Sequence, residues 1–468
     1  MAWKEIRKIE AREEKMMGMK TMDSRSLSKL QVIGLISLLV LFIVFGGVTE
    51  FRGAFLKHHR TDIGCYLRAA WAVRAGTNMY DITDDNGWHY NYPPLLAILM
   101  TPLADPPQGA SRAGYLPYAV TVGIWYVVTT LFLAAGIEIL ARALEDPVKN
   151  LAAGRGSRFS ALWWDLRIIP LLVVLPAIGR AQVRGQVDVI IGFLLCCMIA
   201  SILNGRRFRA GLWLSFAICI KVIPALLLAL PLWRRDWRML YGCAGGLLIG
   251  LVLIPVIVLG PGRMADSYKT FYKQIIVAGL AGSGKGSRAA ELTGITRTDS
   301  NAPMVVLNNI LHPDMATRPK VASPLVRATQ WMLAFIMLAL TLILSGWKGR
   351  WYSGKVDATI AEACFMGALI PLMFTTSPMF HPHYVSMTLP LVIVLFVILW
   401  EKYSYGHIPS RWKALFWFIA VSHLLTSLDQ GPFNYLREFG LVLASTIALW
   451  TGALIAAKKS NRGLPSTR

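Results

Sequence analysis

Long apolar runs recur from one end of this chain to the other, and no other feature limits its fold so severely. A run of about 20 apolar residues spans the hydrocarbon layer of a bilayer, where every backbone amide must find a partner inside its own segment. The clearest runs are Val32–Val48, Tyr118–Leu140, Val187–Leu203, Met239–Leu259, Ala328–Leu344, Thr359–Phe374, Tyr384–Trp400, Lys413–Leu428 and Phe439–Ala457. Tyr92–Ala104 and Ile168–Ile178 are shorter and suit a crossing, a dip or a helix lying flat. Ala210–Trp233 is long enough to cross but is interrupted by Lys221 and Pro224. The pattern predicts an all-α polytopic membrane protein with about 10–12 transmembrane helices. Composition agrees: 55% of the 468 residues are hydrophobic and 16% charged, which excludes an ordinary soluble domain.

The net charge of +22 raises nucleic acid as a partner, but the cations cluster between the apolar runs. Lys and Arg retained in cytoplasmic loops and beside anionic headgroups account for them, so the expected partners are membrane lipids and no nucleic acid. The basic N-terminal segment, residues 1–30, is too polar for a signal peptide and is placed in the cytoplasm with the first span retained. The basic tail, residues 458–468, is placed there too, leaving residues 31–457 as the membrane domain. Counting spans from both ends puts two long loops, about residues 50–91 and 260–326, on the outer face of the plasma (inner) membrane. "NGRRFR" and "RRDWR" flank one apolar segment. A re-entrant pair of half-helices broken at "KVIP" keeps both basic clusters inside and makes Lys221 a cavity residue. A simple crossing is the alternative, and the spacing leaves both open.

Several outer residues carry chemistry. Asp62 follows the first span at the head of "TDIGCYLRAAWAVRAG", a helix-like stretch ending at Gly76. It reads either as a helix N-cap or as a reactive carboxylate, with His58, His59, Arg60 and Arg68 as its basic surroundings. Lys221, in an apolar segment, is expensive to bury and suits an anionic phosphate. His381 and His383 form a polar turn between Pro378 and Tyr384, fitted to hydrogen bonding or proton transfer rather than metal binding. "WHYNYPP" offers aromatic faces for an interfacial belt or a sugar. "GLAGSGKG" matches part of a phosphate-binding loop, but Gly286 stands where Ser or Thr holds magnesium, so no nucleotide is expected. Five of six cysteines sit in apolar runs and Cys65 has no loop partner, which argues against a disulfide framework or a metal site.

Four elements occur in order: Asp62-x-x-x-Tyr66 through Gly76-x-x-x-Tyr80-Asp81; Tyr92-Pro93-Pro94; Gly185-Gln186-Val187-Asp188; and Lys221-x-x-Pro224 before "WRRDWR". Together they resemble the bacterial polyprenol-phosphate-mannose-dependent α-mannosyltransferases of glycosyltransferase family 87, with the turn at His383 extending the likeness. The chain departs from that family's pattern at Asn301-Ala302-Pro303 and at "MFHPHY". The resemblance implies a GT-C-type bundle and a polyprenyl-phosphate sugar donor, of mannose in that family's pattern, with a glycolipid or glycan acceptor. It implies inversion with Asp62 as general base and His383 beside it. Tyr66, Tyr80, Tyr92, Gln186, Lys221, Asn301 and His381 would then contact donor or acceptor, with no cofactor, nucleotide or metal. The rival reading is a membrane carrier or flippase for a lipid-linked or anionic solute, with Asp62 and Lys221 as coupling charges.

Overall fold

A computed structural model describes residues 29–55, 61–152, 159–281, 288, 291–292, 295, 300–346, 356–402, 410–428 and 432–461. One compact unit ends at Phe45 within the first helix, Lys29–Glu50; the second begins at Gly46. Among the described residues, helices dominate and the one β-bridge, Thr83 with His89, is isolated. The chain is an all-α polytopic membrane protein. Seven described helices are long and apolar enough to cross: Gln31–Phe55, Tyr118–Glu145, Leu162–Val183, Trp237–Leu259, Pro324–Ser345, Ala358–Thr376 and Leu441–Lys458. Asp188–Leu203, Ile223–Arg234 and Pro382–Val397 are shorter apolar helices. The N-terminal residues 1–28 and most of the basic tail lie outside the described residues.

Two short runs resolve differently. Tyr92–Ala104 forms only the helix Pro94–Leu99 and a 3₁₀ turn, Thr101–Leu103. Six helical residues rise about 9 Å, too little to cross. Ile168–Ile178 is the middle of a 25-residue helix, Phe159–Val183. The run looked short because Arg167 interrupts it. In the fold Arg167 is buried and answered by Glu138 at 2.8 Å and Glu145 at 2.5 Å, both on the helix Tyr118–Ala152.

The Lys221 segment settles into a hairpin. The helix Arg207–Ile220 stops at Lys221, whose backbone is extended (φ −143°, ψ 127°), and the chain returns through a 3₁₀ stretch, Ile223–Leu228, and the helix Ala229–Arg234. Both ends of this hairpin meet one carboxylate. Arg207 grips Glu362 with both terminal nitrogens, one of them at 2.5 Å, and Arg234 approaches the same Glu362 at 3.8 Å. Asp236 adds a second acid 3.6 Å from Arg207. Two basic flanks sharing one counter-charge cannot lie on opposite faces of a bilayer, so the segment doubles back.

Small residues make the hairpin fit. Gly211, Ser215 and Cys219 line one face of Arg207–Ile220 at four-residue spacing and pack against Gly242, Gly246 and Gly250 on the next span. A methyl at Gly242 would strike the Phe208 carbonyl, and one at Gly250 would lie 2.6 Å from the Cys219 sulfur. Such small-residue ridges let helix backbones approach closely where lipid gives no hydrophobic drive between helices. The buried helix Val356–Thr376 stands beside this pair, carrying Glu362 near one end and leading into the histidine turn from the other.

Candidate active site

Asp62 is placed by a helix end far away in sequence. Phe159–Val183 closes with Gly185 N–H donating to the Gln182 carbonyl at 2.9 Å and Gln186 N–H to the Ala181 carbonyl at 2.8 Å. This is a Schellman closure, with Gly185 in the left-handed region at φ 66°. A Cβ at Gly185 would lie 2.7 Å from the Ile63 Cβ, so only glycine allows this turn to touch the head of the helix Ile63–Ala75. Trp125 fastens the turn by donating to the Gly185 carbonyl at 3.0 Å, and Asp62 N–H donates to the Arg184 carbonyl at 2.8 Å.

Arg184 and Gln186 therefore flank the Asp62 carboxylate. Gln186 donates a short hydrogen bond to Asp62 Oδ2, and Arg184 Nε lies 3.4 Å from the same oxygen. The Asp62 side chain occupies the N-cap position of its helix yet accepts no capping hydrogen bond from it. It keeps 23% of its surface exposed. The other side of Gln186 is tied down: its Oε1 accepts from Tyr66 at 3.1 Å and from Tyr92 at 3.5 Å, and the two phenol oxygens stand 3.3 Å apart. Burial pushes the Tyr66 and Tyr92 phenols well above their usual range, so both remain protonated donors.

Beside this lies a fully buried charge cluster. Lys221 Nζ donates to Asp188 Oδ1 at 2.6 Å, sits 3.7 Å from the Tyr384 ring centre and 5.8 Å from that of Tyr92. Asp188 is the first residue of the helix Asp188–Leu203, where the helix dipole also favours a negative charge. His383 Nε2 approaches Asp188 Oδ2 at 3.5 Å, and the His381 and His383 rings stack at 5.2 Å. His383 is 1% exposed, and neither ring nitrogen makes a hydrogen bond to the described residues.

The remaining sequence candidates divide. Tyr80 stands behind the site, donating to the Tyr92 carbonyl at 2.9 Å. Asn301 joins the second long loop to the histidine turn through its N–H to the Phe380 carbonyl at 2.6 Å, and its buried side-chain amide meets no described partner. Arg68 does not surround Asp62 as its sequence proximity suggested. It is buried against Asp85 at 2.9 Å and Asp105 at 3.6 Å, because a helix carries position 68 away from position 62 toward the loop acids. His58, His59 and Arg60 lie outside the described residues, as does most of "GLAGSGKG". Lys221 is likewise not a lone cation, since Asp188 balances it. Sequence reading assigned no role to Arg184, Asp188 or Tyr384. Asp188 carried a legible signal: like Asp62, it is an acid at the head of an apolar stretch. Arg184 carried none, since an arginine next to a glycine turn is ordinary.

The sequence model of glycosyltransferase family 87 matches residues 90–378, a span that includes Tyr92, Gln186, Asp188, Lys221 and Asn301 but stops short of Asp62 and His383. GPI mannosyltransferase 1 of Emericella nidulans is 23% identical over 217 residues, covering 46% of this chain and 43% of that protein. An alpha-(1->3)-arabinofuranosyltransferase of Mycobacterium tuberculosis is 25% identical over 204 residues, covering 42% of this chain and 40% of that one. The chain thus matches less than half the length of these relatives. Among solved structures, ArnT from Cupriavidus metallidurans bound to undecaprenyl phosphate aligns over 90% of this chain and 78% of its own, with 16% identity and a TM-score of 0.40. Its apo form aligns with a TM-score of 0.39 and 15% identity, over 91% of this chain and 77% of its own.

Proposed function

The chain belongs to glycosyltransferase family 87, and from that premise we propose that it moves a sugar, mannose in the first instance, from a polyprenyl-phosphate donor to a glycolipid or glycan acceptor. The observation that carries this reading is the Asp62 carboxylate: partly exposed, held by Gln186 and Arg184, and not spent on capping its helix. A general base needs that combination of fixed position and access. Asp62 takes the proton from the acceptor hydroxyl as its oxygen attacks the anomeric carbon. The bond from that carbon to the phosphate oxygen breaks on the opposite face, the electron pair leaves with the phosphate, and the configuration inverts.

Cationic and imidazole groups near Asp62 suit the leaving phosphate. Lys221 serves this charge indirectly: its ion pair with Asp188 fixes the hairpin tip and the Tyr92 and Tyr384 rings around it. His383 hydrogen-bonds a reacting group on this reading, which is supported by its burial and by the lack of a hydrogen bond from either ring nitrogen to the described residues. The reaction faces the extracytoplasmic side of the plasma membrane on this reading. Its support is the basic rim of Arg206, Arg207, Arg209, Arg234, Arg235 and Arg238 at the other end of the hairpin, which belongs in the cytoplasm.

Purified protein in detergent, given a polyprenyl-phosphate-linked mannose and a membrane-lipid extract as acceptor, tests the proposal. Radiolabel should move from donor to acceptor with no membrane gradient present. A carrier or flippase would transfer nothing under those conditions, and a gradient-dependent movement of intact donor in vesicles would replace the transferase reading.

A further inference from the structure

A polar concavity lies away from Asp62, at the other end of the helix Ile63–Ala75. The span Trp237–Leu259 ends at Leu259, and the chain runs directly into the helix Pro261–Phe271 and the π-helical turn Tyr272–Val277. One face of that continuation, bearing Arg263, Asp266, Lys269 and Lys273, opposes the turn Gly76–Asn78, and a groove of about 530 Å³ lies between them. The walls are fixed. Asn78 Nδ2 donates to Thr270 Oγ1 at 3.0 Å while its side-chain Oδ1 accepts from Tyr80 N–H at 3.1 Å. The carbonyl end of the Ile63–Ala75 helix, which would repel an anion, is occupied by Gly76 N–H on Val73 and Thr77 N–H on Ala72.

We propose that this groove holds the phosphodiester headgroup of an anionic membrane lipid. Its depth is right, because it opens at the residue where an apolar span ends and the headgroup layer begins. Its charge is right, three cations against the single acid Asp266. Its size is that of a small-molecule site, and Asp266 supplies an acceptor for headgroup hydroxyls. The helix Ile63–Ala75 is about 20 Å long, so a lipid anchored here reaches Asp62 only through an extended glycan. That this lipid is the sugar acceptor rests on the transferase reading; the lipid site itself does not.

Native mass spectrometry of the full chain in detergent, titrated with phosphatidylglycerol or phosphatidylcholine, is the test. Phosphatidylglycerol should bind as a discrete adduct, weakened about thirtyfold in the Lys269→Gln/Lys273→Gln variant by the loss of two interfacial charges. The charge-reversed pair, Lys269→Glu/Lys273→Glu, should abolish the adduct, and Lys320→Gln, a cation elsewhere on the surface, should leave it unchanged. Phosphatidylcholine should be indifferent to all three, and inorganic phosphate should not displace the lipid. Equal phosphatidylglycerol affinity in wild type and both double variants overturns the proposal, and displacement by inorganic phosphate reassigns the groove to a free anion and overturns it too. Asp62→Asn should bind the lipid as the wild type does, so a failed transfer assay and a failed lipid site are told apart.

Discussion

Two charge clusters sit at opposite ends of the same hairpin, about 20 Å apart by the length of Arg207–Ile220. At one end Glu362 and Asp236 answer Arg207 and Arg234, and the cluster pins the two arms together. At the other, Lys221 is answered by Asp188, but Asp188 Oδ2 and both nitrogens of the adjacent His383 lack a hydrogen bond among the described residues, and Asp62 nearby stays partly open. A buried polar atom left without a partner costs about 1–3 kcal/mol. The first cluster is arranged for holding, since both oxygens of its acid Glu362 accept from Arg207. The second keeps donors and acceptors in reserve, which a fold tolerates where a substrate supplies the missing partners.

The largest expected effects test whether each cluster holds the fold. Glu362→Gln removes the charge that Arg207 and Arg234 share, and Lys221→Met strands Asp188; each should cost about 3–5 kcal/mol in chemical denaturation of the purified protein, the usual result of removing one member of a buried ion pair. Adding Asp188→Leu to Lys221→Met should recover much of that stability without restoring sugar transfer. A Lys221→Met protein as stable as the wild type would show that the pair does not hold the hairpin tip.

Next comes Asp62→Asn, which keeps the hydrogen bond from Gln186 but cannot take a proton. Transfer should fall by about a hundredfold or more, with the unfolding midpoint unchanged. Normal transfer by this variant would remove Asp62 from the chemistry. His383→Gln should slow turnover by about tenfold, read in the same assay, while the equivalent neutralisation at Glu362 should show itself first in stability. Gly185→Ala should cost about 1–2 kcal/mol, since alanine at φ 66° is strained and its methyl meets Ile63. Its transfer rate should drop as well, because Arg184 and Gln186 move with that turn. The smallest effect is expected from EDTA, which should leave the transfer rate unchanged; loss of activity with recovery on adding magnesium or manganese would demand a metal-dependent step.

The sequence by itself determined the class of fold. Apolar runs of bilayer length allow little but helices, because unsatisfied backbone amides cannot be left in hydrocarbon, and those runs mark most of the observed helices to within a few residues. It also marked Asp62, Lys221 and the histidine turn, since a charge or imidazole in or beside an apolar segment is costly enough to stand out. What it could not supply was pairing across distance. Arg184 and Gln186 reach Asp62 from more than a hundred positions away, and Asp188 finds Lys221 across 33. Whether the "KVIP" segment crosses or returns was likewise decided only when Arg207 and Arg234 met the same Glu362. The physical reason is common to all three. Hydrophobicity is a property each residue carries into any fold, whereas the partner of a buried charge is chosen by which helices pack together, and that is set by small-residue contacts such as Gly211 and Gly242.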